Sequence, residues 1–176
     1  NNTNLLKPEI GITYKKLINK SASQLEAVLK VLHKYGSYQE LRLYYDDVLN
    51  NFSFGMVANK FEQAVKDIGL LLGFESQRPD SEIRKGPDNL WRGVKDTYFL
   101  IECKSEVNLA RVAISKDEAG QMNNHCGWFE SEYGEGHNVK RILIIPTNVL
   151  ATNADFTHEI HVMNAECLTQ FKNNFS

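Results

Sequence analysis

Two acidic residues and a lysine stand out in the middle of the chain because together they could hydrolyse a phosphate ester. Asp88 follows Pro87, and thirteen residues separate it from Glu102, which stands two residues before Lys104. Residues two apart on a strand share a face, so a strand here would place Glu102 beside Lys104. Two neighbouring carboxylates repel each other unless a hard cation such as Mg²⁺ lies between them. The pattern therefore indicates a metal-dependent hydrolytic site.

The chemistry of such a site assigns a different role to each residue. A bound divalent cation lowers the pKa of a ligand water and stabilises the negative charge that develops on a phosphate. A lysine nearby supplies a second positive charge that can position the attacking water. We expect Asp88 and Glu102 to hold Mg²⁺, with Mn²⁺ able to substitute, and Lys104 to act on the water. A histidine base is not required.

A three-stranded meander would position these residues. The period of the sequence changes after Phe74, where short runs rich in β-favouring residues alternate with turn residues. Asp88 begins the middle run, so an antiparallel hairpin would bring it opposite Glu102. Ile101 and Cys103 alternate with the acidic residue and should face the other layer. The predicted strands of the meander are 74–77, 89–94 and 97–104.

Helices are predicted on both sides of the meander, each from an apolar stripe and a start or stop signal. After the meander, a continuously apolar run at 139–145 predicts a central strand that is covered on both faces. A further strand is expected around 159–163, before a terminal helix that carries Leu168 and Phe171. The start and stop signals are Ser21 with Gln24, Ser37 with Glu40, Ser115 with Glu118, and Gly73 at the end of a helix from about Ala58.

The motif residues and their order resemble the PD-(D/E)XK nuclease superfamily, which has a restriction-endonuclease-like fold. Pro87 and Asp88 resemble the PD of the motif, and Glu102-Cys103-Lys104 resembles its (D/E)XK. The resemblance covers about residues 57–147. It implies an α/β fold with an αβββαβ core, in which helices flank a mixed central sheet. We expect residues 57–176 to form this domain and residues 1–56 to form an N-terminal helical hairpin appended to it.

The resemblance also implies supporting residues. Glu62, on the helix before the meander, resembles an acidic residue that many members use as a supporting or second-metal ligand. Gln121 resembles a glutamine that several subfamilies carry on the helix after the motif. The backbone carbonyl of Cys103 would be a further metal ligand. Members often belong to larger chains, which suggests a helicase-linked or anti-phage defence enzyme.

Other interpretations of these residues remain open. Glu62 stands four residues before Lys66 and could form an ordinary exposed helix pair with it. Asp80 also follows a proline, but polar, turn-like sequence follows it, so we prefer Asp88. Lys104 could be the solvated end of an edge strand. Wide spacing of Cys103, Cys126 and Cys167 does not match a structural zinc site.

Basic residues around Asp88 suggest a nucleic-acid surface. A phosphate backbone is attracted to clustered cations, although a solvated hairpin would explain the same residues. His125 lies on a second stripe of the helix after the meander, with Gln121 and Trp128, and could face the site, a groove or simply the polar rim. The predicted nucleic-acid contacts are Arg84, Lys85, Arg92, Lys95 and His125.

Composition sets limits on the function. The chain has 176 residues and a net charge of −2, so it is not a polycation and any nucleic-acid surface must be local. Three cysteines indicate a reducing, cytoplasmic setting, and no apolar run approaches the roughly 20 residues of a membrane helix. The first residue is not Met, which suggests a piece of a longer protein. The resemblance implies that further domains or a helicase partner could accompany the chain, and a homodimer is possible.

The sequence as a whole therefore predicts a metal-dependent nuclease that acts on DNA. A different class remains possible, namely a nuclease-like scaffold that binds nucleic acid or protein without cutting. Such a descendant would be expected to lose a ligand, whereas Asp88, Glu102 and Lys104 are all present. A third possibility is a helical adaptor function for residues 1–56 beside a passive α/β body.

Overall fold

The computed structural model describes residues 14–18 and 23–175. In this part of the chain, six α-helices and a short 3₁₀ turn accompany five strands. The elements in chain order are α1 (Gln24–Leu32), α2 (Tyr38–Asn51), α3 (Ala58–Leu71), β1 (Glu75–Gln77), α4 (Pro79–Ile83), β2 (Asn89–Arg92), the 3₁₀ turn (Val94–Asp96), β3 (Thr97–Cys103), α5 (Lys116–Tyr133), β4 (Asn138–Ile144), β5 (His161–Met163) and α6 (Ala165–Phe175).

The five strands form one mixed sheet in the order β1-β2-β3-β4-β5. The pairs β1–β2 and β2–β3 are antiparallel, whereas β3–β4 and β4–β5 are parallel. Helix α5 makes the crossover that a parallel β3–β4 pair requires. The mixed α/β class, the meander and the order of the later elements are confirmed.

Strand β4 differs from its prediction in burial. It lies between β3 and β5, as an interior strand should, but only its C-terminal half is buried. Leu143 and Ile144 are enclosed, while Asn138 and Lys140 are exposed. The prediction of a strand covered along its whole length was therefore wrong for its first half, which carries the adjacent charged residues Lys140 and Arg141.

Serine caps begin three of the helices. Ser21 lies outside the described residues, and the cap of α1 is Ser23, whose hydroxyl accepts a hydrogen bond from the Glu26 N–H. Glu26 returns the contact by accepting from the Ser23 N–H at 2.8 Å. The capping box of α1 is thus formed by Ser23 and Glu26, and the predicted cap at Ser21 lies outside the described residues.

The other two caps are at the predicted serines. Ser37 accepts from the Glu40 N–H at the start of α2, and Ser115 accepts from the Glu118 N–H at the start of α5. Glu118 also accepts from the Ser115 N–H at 2.8 Å, which completes a capping box. This box fixes the first turn of α5, the helix that faces the predicted catalytic residues.

The two faces of the sheet bury separate apolar clusters, as strand alternation requires. Ile101 and Cys103 of β3 pack with Trp91, Phe61 and Ile68 on the α3 side. On the α5 side, a second cluster contains Leu90, Tyr98, Leu100, Met122 and Phe129. Glu102 alternates with Ile101 and Cys103, so its side chain lies on the α5 side.

Helix α2 contributes to the same core as the sheet. Val48 and Phe52 are each 2% exposed and belong to the cluster that contains Phe61 and Ile101. The Phe52 and Phe61 rings stack with centroids 5.2 Å apart. Whether residues 1–56 form a separate domain stays a prediction, but α2 shares its buried side chains with α3 and β3.

Candidate active site

The β2–β3 hairpin determines the position of the two acidic residues. The last recorded pair at its open end is Asn89 with Ile101. Asp88 stands immediately before β2, where its carboxylate accepts a hydrogen bond from the Cys103 N–H at 2.7 Å and is near enough to Glu102 for the Glu102 charge to raise its pKa. Glu102 alternates with Ile101 and Cys103 and lies on the α5 side of the sheet. The structure thus brings the two predicted ligands together.

Pro87 changes the hydrogen bonding at this end of the hairpin. In an antiparallel pair, hydrogen-bonded and non-hydrogen-bonded residue pairs alternate, and Gly93 donates to the Thr97 carbonyl at the closed end of this hairpin. If the alternation continued past the start of β2, Pro87 would be the hydrogen-bonding partner of Cys103. Proline has no N–H, so it cannot donate to the Cys103 carbonyl. The Cys103 N–H instead donates to Asp88 Oδ2 at 2.7 Å. The Asp88 carboxylate is therefore held against the backbone of Cys103.

Glu102 is almost completely buried, with 3% of its surface exposed. Its Oε1 accepts a hydrogen bond from Lys104 Nζ at 2.8 Å. Its Oε2 lies 3.0 Å from His125 Nε2, yet no aligned hydrogen bond reaches Oε2 from the described residues. A buried carboxylate oxygen is costly without a partner, and the imidazole of His125 stands beside Oε2 and lowers the pKa of Glu102.

Helix α5 contacts both Glu102 of β3 and Lys104, which follows the strand, from one face. Gln121 Oε1 accepts a second hydrogen bond from Lys104 Nζ at 2.7 Å. His125, one turn further along α5, approaches Glu102. Residues four apart on a helix lie above one another, which explains how one helix face contacts both Lys104 and Glu102. The predicted proximity of Gln121 to the motif is thus observed.

The two carboxyl groups have opposite pKa shifts. Burial and the neighbouring Glu102 charge raise the pKa of Asp88 to about 8. Burial would also raise the pKa of Glu102, but His125 and Lys104 outweigh it and the pKa of Glu102 falls below its usual value. At neutral pH the metal-free pair therefore carries one proton, which resides mainly on Asp88. The pKa of Lys104 is raised, because Glu102 outweighs the effect of burial, so its ammonium stays charged.

Glu62 has a different partner from either of those predicted for it. Its carboxylate forms an ion pair with the guanidinium of Arg78, which also donates to Asn59 Oδ1 at 3.0 Å. Lys66, the alternative partner, instead pairs with Glu82. Burial raises the pKa of Glu62 despite Arg78, and the Glu102 charge acts in the same direction as burial. Glu62 thus contacts Arg78 while remaining within electrostatic reach of the site.

The predicted basic cluster is divided between the two ends of the hairpin. Arg84 and Lys85 are exposed and lie just before Asp88. Arg92 and Lys95 are at the opposite end, about 13 Å of strand away from Asp88. Arg92 is 8% exposed and forms ion pairs with Glu75 and Asp96. The expectation that all four surround Asp88 was therefore wrong for Arg92 and Lys95.

A glycine fixes the loop that leads into Asp88. Gly86 has a positive φ of 87° and lies against the indole of Trp128 on α5. A Cβ atom at this position would lie 2.8 Å from Trp128 Cδ2. Loop and helix are thus in direct contact two residues before Asp88, which makes Trp128 a neighbour of the site.

The other acidic and thiol groups are arranged as follows. Asp80, the alternative to Asp88, is exposed in the first turn of α4, which the sequence did not predict. The three cysteines are free thiols.

Among residues 14–18 and 23–175, no three side chains of His, Cys, Asp or Glu lie close enough together to hold an ion by themselves. A cation here would therefore depend on the Cys103 carbonyl, on water or on a small adjustment of the carboxylates.

The approach of His125 to Glu102 could not be assigned from the sequence. The spacing of Gln121 and His125 placed both on one stripe, but it did not say which strand the stripe faces.

No family model matches the chain, and no curated protein or solved structure is significantly similar to it. No helix within the described ranges is both long enough and apolar enough to cross a membrane.

Proposed function

We propose that the chain is a divalent-metal-dependent nuclease of the restriction-endonuclease-like fold that hydrolyses phosphodiester bonds in DNA. The observation that carries this proposal is the joint position of Asp88, Glu102 and Lys104 at one end of the β2–β3 hairpin. The mixed sheet and the order of elements around it also support the resemblance to PD-(D/E)XK nucleases. A role within a helicase-linked or defence protein is part of the proposal.

The residues present fit a hard divalent cation. Glu102 is 3% exposed, and no aligned hydrogen bond reaches its Oε2 from the described residues. Asp88 has a raised pKa because another carboxylate is close, and a cation would relieve that repulsion. We infer that Asp88, Glu102 and the Cys103 carbonyl would hold Mg²⁺ or Mn²⁺. When bound, such an ion supplies a ligand water of lowered pKa and polarises the phosphate.

Lys104 meets two requirements of its proposed role, a positive charge and a fixed position. Its ammonium remains charged, and Glu102 Oε1 and Gln121 Oε1 hold it at 2.8 and 2.7 Å. A fixed positive charge at this position would orient the attacking water and stabilise negative charge on the phosphate oxygens. Gln121 positions the ammonium, and Arg84 and Lys85 would contact the backbone of the nucleic acid.

A cleavage assay tests the proposal. Supercoiled plasmid and linear DNA are incubated with the chain and Mg²⁺, Mn²⁺ or EDTA, and Asp88→Ala is compared with Asp80→Ala. We expect cleavage with either ion, none in EDTA, and loss of cleavage only in Asp88→Ala. Cleavage that persists in EDTA or in Asp88→Ala would overturn the mechanism.

A further inference from the structure

A short segment before the first helix, residues 14–17, is bonded to the sheet and to the end of α5 and is called here the N-terminal strap. The Tyr98 hydroxyl donates to the Leu17 carbonyl at 2.8 Å, and the Leu17 N–H donates to the Tyr133 hydroxyl at 3.1 Å. Leu17 is 9% exposed and packs in the apolar cluster on the α5 side of the sheet. The strap is thus fixed to β3 and α5.

Tyr14 is the first residue of the strap and brings an aromatic ring to α5. Its hydroxyl donates to Gln77 Oε1 at 3.1 Å and shares a hydrogen bond of 2.8 Å with the Tyr133 hydroxyl. Its ring lies beside the indole of Trp128, with ring centroids 5.6 Å apart. Aromatic rings at this separation attract each other beyond the effect of the area that they bury. Tyr14 therefore holds Trp128 from the side of the strap.

Trp128 also contacts the loop that leads into Asp88. Its Cδ2 would lie 2.8 Å from a Cβ atom at Gly86, and Gly86 is buried although Lys85 before it is exposed. The indole N–H is buried and has no hydrogen-bond partner among the described residues. A buried N–H without a partner costs free energy, so packing must hold the indole in place. Tyr14 and the loop at Gly86 provide this packing.

The position of the Asp88 side chain depends on a single hydrogen bond among the described residues. Its carboxylate accepts from the Cys103 N–H at 2.7 Å. The next amide of the chain, that of Lys104, donates to the Ile144 carbonyl at 2.8 Å and belongs to the sheet instead. A carboxylate with one anchor moves with its backbone, and Trp128 limits the movement of that backbone two residues earlier.

We propose that Tyr14 is a positioning residue for Asp88 and that it acts through Trp128. The ring of Tyr14 keeps the indole against the loop, and the loop keeps the Asp88 carboxylate at the Cys103 N–H. This inference rests on the proposed function, in which Asp88 is a metal ligand. It makes residues 14–17, which precede the predicted nuclease domain, part of the structure that supports the site.

Amide hydrogen exchange of the metal-free chain, measured by NMR in EDTA, tests this inference without substrate. The Cys103 amide reports the bond to Asp88, and the Lys104 amide reports the adjacent sheet. In Tyr14→Ala we expect the Cys103 amide to exchange at least about 10-fold faster and the Lys104 amide to change by less than about 3-fold. Equal acceleration at both amides would overturn the inference, because it would show a general loss of stability.

Lys15→Ala is the matched control for these measurements. It alters an exposed side chain on the same strap and retains the Lys15 carbonyl, which accepts from Gln77 Nε2 at 2.8 Å. Both amides should exchange in this variant as they do in wild type. A selective acceleration at Cys103 as large as that in Tyr14→Ala would overturn the role of the Tyr14 ring.

Cleavage kinetics with Mg²⁺ determine whether Tyr14 acts through Trp128. Tyr14→Ala and Trp128→Ala should each lower kcat by about 10- to 100-fold, with a change in KM of less than about 3-fold. The double variant should be no slower than Trp128→Ala, because residues in one chain of contacts do not have additive effects. Losses that multiply in the double variant would overturn the inference.

Tyr14→Phe tests the ring separately from the hydroxyl and is a milder change than Tyr14→Ala. It keeps the contact with Trp128, so kcat and the exchange rate of the Cys103 amide should stay within about 3-fold of wild type. A loss as large as that in Tyr14→Ala would overturn the inference, since the ring would then not be the group that positions the indole.

Failure of this inference and failure of the proposed function give different results. Wild-type exchange and wild-type kcat in Tyr14→Ala would overturn the inference, while loss of cleavage in Asp88→Ala would still support the nuclease function. Cleavage that persists in Asp88→Ala would overturn the proposed function, whatever the Cys103 amide shows. Thermal unfolding of each variant confirms that the measurements are made on folded protein.

Discussion

Asp88 and Glu102 are chemically similar residues that the fold makes different. Glu102 has a lysine and a histidine as neighbours, whereas the only hydrogen bond to Asp88 from the described residues is the Cys103 N–H. Glu102 is therefore stabilised as an anion, and the proton of the pair goes to Asp88. An unequal pair of this kind is frequent at catalytic sites, where the environments of two groups move their pKa values apart.

The raised pKa of Asp88 predicts how stability depends on pH. In the unfolded chain the carboxyl ionises near its ordinary value of 3.8, whereas in the folded protein it stays protonated up to about 8. Between these values the folded state binds more protons, so the free energy of unfolding falls as pH rises. Asn at position 88 does not ionise, so Asp88→Asn removes this loss. Relative to wild type, Asp88→Asn should raise the free energy of unfolding of the metal-free protein more at pH 8 than at pH 5, and the two increases should differ by more than about 1 kcal/mol.

Urea unfolding at the two pH values, in EDTA, measures this difference. Asp80→Asn is the matched control, because it makes the same chemical change at an exposed aspartate that also follows a proline. Equal effects of Asp88→Asn at pH 5 and pH 8 would contradict the prediction.

Lys104→Ala is predicted to separate catalysis from binding. In the proposed mechanism the ammonium stabilises charge on the phosphate, and loss of such a group typically costs about 10²–10³ in rate. Folding and DNA affinity in EDTA should change little, because the exposed Arg84 and Lys85 are the residues proposed to contact the nucleic-acid backbone. Cleavage rates and fluorescence anisotropy are compared with those of Lys116→Ala, an exposed lysine at the start of α5. Wild-type cleavage by Lys104→Ala would support a non-catalytic scaffold instead.

At the residue scale, the sequence predicted the direction of a side chain correctly where that direction depends only on the residue's own strand. The alternation of Glu102, Cys103 and Lys104 follows from a two-residue period and needs no tertiary information. Arg92 could not be placed in this way, because its partners Glu75 and Asp96 are set by strand pairing and by the turn. The ion pair between Glu62 and Arg78 is likewise a contact between a helix and the segment after β1, which sequence spacing does not encode.

At the scale of elements, the site is a contact between a hairpin and a helix. The β2–β3 hairpin supplies Asp88, Glu102 and Lys104, and α5 approaches them with Gln121 and His125. The capping box of Ser115 and Glu118 fixes where α5 begins, and Arg111 holds Glu118 with two bonds of 2.6 Å. Capping signals and apolar stripes predicted α5 correctly. The short helix α4 was not predicted, because five residues are too few to show a period.

Gly86→Ala is predicted to disturb the site through α5. The positive φ at Gly86 costs an alanine roughly 1 kcal/mol or more, and the Cβ atom would also overlap the Trp128 ring. Gly136→Ala is the matched control, since Gly136 has a φ of 90° but open space around its Cβ position. We expect Gly86→Ala to lose about 1–3 kcal/mol more stability than Gly136→Ala and to weaken Mn²⁺ binding, because Asp88 follows the displaced loop.

Denaturant titration and calorimetry on the two variants provide the comparison. Similar losses of stability in Gly86→Ala and Gly136→Ala would contradict the prediction. They would mean that the positive φ alone determines the cost and that the contact with Trp128 has no effect on the loop.

At the scale of the whole molecule, the sheet is supported from both faces and α2 takes part in the larger core. Phe52 stacks on Phe61 and also packs edge-on against Phe171 of α6, with centroids 5.8 Å apart. The rings thereby join elements from the start, the middle and the end of the chain. The boundary near residue 57 was placed where the resemblance to the nuclease superfamily begins, and such a resemblance does not reveal which helices share a core.

Phe52→Ala is predicted to destabilise the entire protein. Truncation of a buried phenylalanine usually costs about 3–5 kcal/mol, and the loss should appear in a single unfolding transition if α2 is integral. A fragment of residues 57–176 should for the same reason lack a cooperative transition. Tyr38→Ala, which alters an exposed aromatic on α2, is the control and should change stability little. A fragment 57–176 that unfolds cooperatively with wild-type stability would show that the helices before it are dispensable.

The proton on Asp88 has a consequence for the charge balance of metal capture. A divalent ion that displaces this proton adds one net positive charge to the protein instead of two, provided that the pH is below about 8. The released proton enters the buffer, so the heat of metal capture should differ between buffers of different ionisation enthalpy. The slope of the binding heat plotted against the ionisation enthalpy of the buffer gives the number of protons released. Lower pH should weaken the affinity for the ion.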